Sequence, residues 1–149
     1  MDKCTSKNLK IFSSTNDSGI SLFSVINKTL TPIGARMLRR WLAFPLLDKG
    51  KINNRLSIVD FFKSNDSILD KLVSIFSEIG DLERLSAKIA TGRISPRELI
   101  QFKNYLMKIS CIKNTLKGKK IPPYLKNCIN QLHDCSEIIN SICWFLVLC

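Results

Sequence analysis

The residue types that could carry out covalent or metal chemistry are few in this sequence, and their spacing matches no catalytic motif. His133 is the only histidine and lies near Cys128 and Cys135, but this spacing fits no common zinc pattern. No G-x-x-x-x-G-K-[ST] phosphate loop occurs. Asp81 and Glu83 lie at a predicted helix start, where carboxylates act as caps. We therefore predict no catalytic, cofactor-binding or metal site in this chain, and no enzymatic activity.

Arginine is a better candidate than these groups for a role in binding. The best-defined helix of the chain is predicted to start with Thr31 as its cap and Pro32 at the first helical position, and to end at Pro45. Apolar side chains fill about half of its surface at 100° per residue. The other side carries Arg36, Arg39 and Arg40. A solvated face and an interface with carboxylates of a partner explain these arginines about equally well.

The apolar side of this helix is predicted to pack through three large side chains, namely Leu38, Trp41 and Leu42. Gly34 in the first turn costs on the order of 1 kcal/mol of helix stability relative to alanine. Its presence suggests that another group lies close against the backbone there.

Positive charge is concentrated in one segment of the chain. The formal net charge is +11, and residues 84–126 contain eleven Lys and Arg against one acidic residue, Glu98. Such a segment indicates a polyanion or an acidic partner domain. A bias in composition is an equally good explanation, because 16 Lys, 11 Asn and 19 Ile are typical of a low-GC genome.

The elements that position these residues are predicted to be helices throughout. Six glycines and five prolines leave little room for sheet turns, and the patterned segments repeat at three and four residues. Besides the arginine helix, helices are predicted at 22–26, from Asp48 to about 63, and at 68–79, 82–90, 96–117 and 124–132. The expected apolar faces are Ile52, Leu56, Val59 and Phe62; Leu69, Leu72, Phe76 and Ile79; and Leu99, Phe102, Leu106 and Ile109.

Several of these segments resemble, in order, the start of the core (lever) domain of the MutS family of DNA mismatch-recognition ATPases. The matching blocks are NLKIF (8–12), residues 22–48, INNRLSIV (52–59), IGDLERL (79–85) and TGRISPREL (91–99). They cover roughly residues 1–110. The resemblance implies an all-α fold, an irregular multi-helix bundle like the MutS core domain.

The resemblance also implies a structural role within a larger protein. The family reads mismatches with an N-terminal domain, grips DNA with a clamp and hydrolyses ATP in a C-terminal domain, and we expect none of these domains in this chain. ATP and Mg²⁺ would bind outside it, and DNA, other MutS domains and a second subunit would be partners of the intact, cytoplasmic protein. Arg36, Arg39, Arg40, Asp81 and Arg84 become candidates for pairing between or within domains.

For the domain organisation we predict a leading segment at 1–20, a helical core at 21–134 and an apolar tail at 135–149 that departs from the family. A free-standing basic helical module that binds nucleic acid without sequence preference is the alternative function. A membrane-surface protein anchored by the tail is the least favoured, because the apolar run 142–149 is too short to span a bilayer.

Overall fold

All secondary structure in the described part of the chain is α-helical. The computed structural model describes residues 9–12 and 19–147, with side chains described as far as residue 145. The helices are α1 (Leu22–Ile26), α2 (Pro32–Ala43), α3 (Lys49–Lys63), α4 (Asp66–Ser77), α5 (Leu82–Ala90), α6 (Pro96–Leu116), α7 (Pro123–Asn130) and α8 (Ser136–Val147). The prediction of an all-α fold is therefore confirmed. The chain divides into two compact units, Met1–Ile52 and Asn53–Cys149.

The first unit is built around α1 and α2. The Ser21 hydroxyl accepts a hydrogen bond from the backbone N–H of Ser24 at 3.2 Å, which caps α1. The backbone N–H groups of Leu22 and Phe23 donate to the carbonyl oxygens of residues 10 and 11 at 2.9 Å. These bonds tie α1 to the segment 9–12, whose Ile11 is buried.

Helix α2 begins as its sequence predicts. Thr31 Oγ1 accepts a hydrogen bond from the Gly34 N–H at 3.1 Å, and Pro32 occupies the first helical position. A Cβ added at Gly34 would lie 3.1 Å from Thr31 Oγ1 and 3.4 Å from the Cβ of Thr29. Glycine therefore lets the preceding residues approach the first turn closely, which explains its position there.

The packing of α2 is looser than its pattern predicts. Leu38 and Leu42 are half-buried, but 43% of the Trp41 surface is exposed, and α2 contains no buried residue. Packing of α2 through Leu38, Trp41 and Leu42 stays a prediction, with Trp41 more exposed than the two leucines. An amphipathic pattern identifies the apolar side of a helix, but it carries no information on how much of that side is covered.

The core of the second unit lies between α4 and α6. Its buried members are Ile68, Leu72, Ile79, Ile112 and Leu116. Helix α6 also packs against α5 and α8, which bury Leu85 and Ile142. Helix α6 is thus the element on which α4, α5 and α8 assemble.

The predicted apolar faces of α3 and α4 are confirmed only in part. Of the α4 face, Leu72 and Ile79 are buried in the core as predicted. In α4 the buried positions are Ile68 and Leu72, whereas Leu69 and Phe76 are exposed. These helices carry apolar residues on more than one face, so the spacing alone cannot select the buried one.

The same correction applies to α3. Ile52, Leu56 and Val59 are exposed, and only Phe62 of the predicted stripe packs on the core, together with Phe61. In α6, Leu106 is buried as part of the predicted stripe, whose other members are half-buried.

Helix ends are the best-predicted local features. Ser95 and Glu98 form both hydrogen bonds of a capping box at the start of α6, with Pro96 at the first helical position. Gly92 and Gly118 adopt φ values of +66° and +73° after α5 and α6, where glycine is favoured over other residues. Asp48 Oδ1 accepts a hydrogen bond from the Lys51 N–H at 2.9 Å. That bond lowers the pKa of the Asp48 carboxyl.

The C-terminal stretch forms a helix that belongs to the second unit. Helix α8 packs against α6, and its Ile142 is buried. No helix within the described residues is both long and apolar enough to cross a membrane.

Gly80, between α4 and α5, allows a close approach by Tyr105 of α6. A Cβ at this position would lie 2.5 Å from Tyr105 Oη and 2.8 Å from Cζ. Because Tyr105 packs against the core, the ring has little freedom to move away.

We therefore expect Gly80→Ala to lower the free energy of unfolding by about 1–3 kcal/mol through overpacking. Urea denaturation of the full chain measures this. Gly50→Ala is the control, because the nearest atom to its new Cβ is the mobile Asp48 Oδ1 at 3.1 Å and alanine favours the helix. An equal loss from Gly80→Ala in a Tyr105→Ala background would contradict the assignment of the clash to this ring.

Candidate functional site

The guanidinium group of Arg39 lies over two aromatic rings of the first unit. Its Cζ is 4.7 Å from the ring centroid of Phe12 and 5.7 Å from that of Phe23. The two rings are themselves in contact, with centroids 6.2 Å apart. Arg39 thus has an aromatic partner within its own unit, a contact that the helix pattern did not predict.

The other candidate arginines of α2 lie at the surface. The side chains of Arg36 and Arg40 are both exposed. Arg40 is in the last turn of α2, where its positive charge favours the negative end of the helix dipole. The structure therefore places Arg39 and Arg40, which the sequence groups with Arg36, in different surroundings.

Asp81 and Arg84 are adjacent at the start of α5. Asp81 Oδ1 accepts a hydrogen bond from the backbone N–H of Arg84 at 3.2 Å, which is the predicted N-cap. The Arg84 side chain is exposed. The structure thus brings these two candidates together through the backbone of Arg84.

The basic segment 84–126 is partly neutralised by carboxylates. Lys88 forms an ion pair with Glu98, and Lys108 forms one with Glu78. The Lys88 hydrogen bond, followed by the backbone N–H of Ser95, lowers the pKa of the Glu98 carboxyl. The hydrogen bond to Glu78 raises the pKa of Lys108. These pairs connect α5 to α6 and α4 to α6.

The C-terminal part of the segment, from residue 110 onward, lines a cleft of about 920 Å³ at the end of α6, together with residues 129, 130 and 134. Its apolar floor is formed by Leu116, Ile121 and Ile129, which belong to the core or pack against it. We call this the lysine cleft, since its lining includes Lys113, Lys117, Lys119, Lys120 and Lys126. Asp134 is the only acidic residue among the lining residues that the structure describes.

Lys113 is held at the wall of the lysine cleft by an uncharged partner. Its Nζ donates a hydrogen bond to the carbonyl oxygen of Leu132 at 2.6 Å, and its side chain is half-buried. A carbonyl fixes the position of the ammonium group without cancelling its charge. The arrangement can attract and hold an anion.

Groups for metal or covalent chemistry are not assembled in the described part of the chain. No set of three or more His, Cys, Asp or Glu side chains there is close enough to hold a metal ion. Cys128 is exposed and Cys135 half-buried, and neither forms a disulfide.

Sequence reasoning identified the basic segment but missed the lysine cleft. The available signal was the group Lys117, Lys119 and Lys120 around Gly118, where a glycine turn brings cations together. Lys113 lies one helical turn before Lys117 at the end of α6, so the i, i+4 spacing already places these two lysines on one face. Lys126 joins them because α7 brings it to the same cleft, and spacing along the chain does not encode that contact.

Comparisons with known proteins agree with the family blocks in the sequence. A family model described as MutS domain III matches residues 4–144. The DNA mismatch repair protein MutS of Bacteroides fragilis is 41% identical over 142 residues, which cover 95% of this chain and 16% of that protein. The protein of the same name from Christiangramia forsetii is 44% identical with the same coverage.

A third relative, MutS of Bacteroides thetaiotaomicron, is 44% identical over 147 residues, covering 95% of this chain and 17% of its own length. The chain therefore spans about a sixth of the length of these curated relatives. The match to residue 144 includes most of the stretch that was expected to depart from the family.

We expect Arg39→Ala to lower the free energy of unfolding by about 0.5–1 kcal/mol, the usual range for an exposed cation–π contact. Arg40→Ala is the matched control, because it removes an exposed arginine from the same helix. Urea denaturation of both variants tests the contact with Phe12 and Phe23. Equal changes in the two variants would exclude a specific contribution from the rings.

The lowered pKa of Glu98 predicts an acid-dependent loss of stability. The stabilisation is fully present above the ordinary pKa of 4.5 and disappears as the pH falls through the lowered pKa of the folded state. The wild type should therefore exceed Glu98→Gln in stability at neutral pH, and the difference should vanish in acid. Asp70→Asn on α4 is the control. A stability difference between the wild type and Glu98→Gln that does not change with pH would contradict the link between the Glu98 pKa and stability.

Proposed function

Because the chain belongs to the MutS domain III family, we propose that it forms part of the helical core of a DNA mismatch repair protein. In that role it connects the domains that bind DNA to the domain that hydrolyses ATP, and transmits conformational change between them. The single observation that carries the proposal is the family match over residues 4–144, together with 41–44% identity to MutS proteins.

The geometry of the second unit suits a mechanical role. Helix α6 has 21 residues and extends about 30 Å at 1.5 Å per residue. Its sides are held by α4, α5 and α8, and two ion pairs fasten it to α4 and α5. A helix packed in this way moves as a rigid body, because close-packed cores do not deform continuously.

Exposed apolar side chains support contact with other domains. Trp41, Phe44 and Leu47 expose 43%, 71% and 96% of their surface. Large apolar groups exposed so close together are typical of interaction surfaces. We assign residues 41–47 to an interface with another part of the intact protein.

The proposal assigns DNA binding, ATP and Mg²⁺ binding and assembly into homodimers to the intact protein. The residues of this chain contribute packing surfaces and charge, and no catalytic group. A second candidate, a basic helical module that binds nucleic acid without sequence preference, is favoured by one feature, the lysine cleft.

The connecting role is tested by a chimaera. The corresponding segment of MutS from Bacteroides thetaiotaomicron is replaced by this chain, and mutation rate, mismatch binding and ATP hydrolysis are measured. We expect low mutation rates and ATP hydrolysis that still responds to mismatched DNA, because the segment would keep the same packing.

The controls are the unmodified relative and a version that lacks the segment. A folded chimaera that binds mismatched DNA and hydrolyses ATP, but whose hydrolysis no longer responds to the mismatch, would contradict the proposal that this chain can fill the connecting role.

A further inference from the structure

The lysine cleft collects five lysines against a single carboxylate, Asp134, among its described lining residues. Lys117, Lys119, Lys120 and Lys126 are exposed, and none lies within ion-pair distance of a carboxylate in the part of the chain that the structure describes. Lys88 and Lys108, in the same basic segment, do have carboxylate partners. Like charges gathered in one cleft repel each other, and a bound anion relieves that repulsion.

The local backbone explains why these lysines converge. Helix α6 ends at Leu116; its cap residue Lys117 has an extended ψ of 135°, and Gly118 follows with φ +73°. The backbone N–H of Lys119 then donates to the carbonyl oxygen of Leu116 at 3.3 Å. This turn carries three lysines around the end of α6, facing the fourth, on α7.

The lining also contains uncharged groups that can donate hydrogen bonds. Ser110, Asn114 and Asn130 lie among the lysines, and each can donate to a phosphate oxygen. No aromatic residue or arginine is among the described lining residues. The cleft therefore has cations and neutral donors, but no ring on which a base could stack.

We propose that the lysine cleft binds the phosphodiester backbone of DNA without reading its sequence. The inference rests on the proposed function for the identity of the polyanion, and it goes further by locating the contact. An acidic protein segment is the competing ligand. The lining argues against it, because lysine is depleted at protein interfaces and the Trp, Tyr and Arg typical of their energetic centres are missing here.

The test measures how binding depends on salt. Fluorescence anisotropy follows binding of the full chain to a labelled duplex of about 20 base pairs over a range of salt concentrations, since each neutralised phosphate adds about 0.9 to the slope of log K against log salt. Lys117→Gln combined with Lys120→Gln should reduce the slope by about 1.8. The same two positions changed to arginine should keep the wild-type slope.

The matched control is Lys63→Gln combined with Lys71→Gln. Both lysines are exposed and lie on α3 and α4, outside the lysine cleft. Their substitution removes the same net charge as the cleft variant. We expect the control to keep the wild-type slope. An equal reduction in both double variants would overturn the proposal, because binding would then follow net charge rather than the cleft.

Two further arms complete the design. A matched duplex and one with a G·T mismatch should bind equally, and a preference of tenfold or more for either would contradict backbone binding. A Glu-rich peptide should compete weakly; a peptide that binds the cleft tenfold more tightly than DNA would replace DNA as the ligand. A failure of DNA binding by the lysine cleft would not change the chimaera result. The two experiments therefore test the cleft and the connecting role separately.

Discussion

The apolar contact between α4 and the C-terminal half of α6 is the interaction on which the second unit depends. Leu72 and Leu116 are its most deeply buried members, each only 4% exposed. Burial of such side chains is the main favourable term in folding. The close approach of Tyr105 to Gly80 is possible only because this contact fixes α6 beside the end of α4. The floor of the lysine cleft is an extension of the same core.

The lysines of the second unit form two groups, one paired with carboxylates beside the core and one gathered in the lysine cleft. Where α6 runs beside α4 and α5, lysines meet the carboxylates Glu78 and Glu98. Beyond the end of α6 the chain supplies lysines with a single aspartate, Asp134, in the same cleft. Exposed pairs contribute little to stability, so the first group orients helices more than it stabilises them. The second group remains available for binding.

The first unit depends on a different kind of contact. Its described residues include one buried apolar side chain, Ile11, and α2 has none. The backbone hydrogen bonds between α1 and residues 9–12, and Arg39 lying over Phe12 and Phe23, hold this segment together. The described residues of this unit therefore form only a small core. The exposed apolar residues around Trp41 are consistent with its membership of a family of much longer proteins.

The sequence by itself determined the helical class, the family and most helix ends. Thr31, Asp81 and the Ser95–Glu98 box act through backbone groups three residues away, so local sequence is sufficient to predict them. The tertiary structure alone decided how much of each apolar face of α3 and α4 is buried, that Arg39 meets aromatic rings, and that Lys126 joins the lysines around Gly118. These features depend on residues distant in the chain, and a helical period is the same whichever neighbour covers the face.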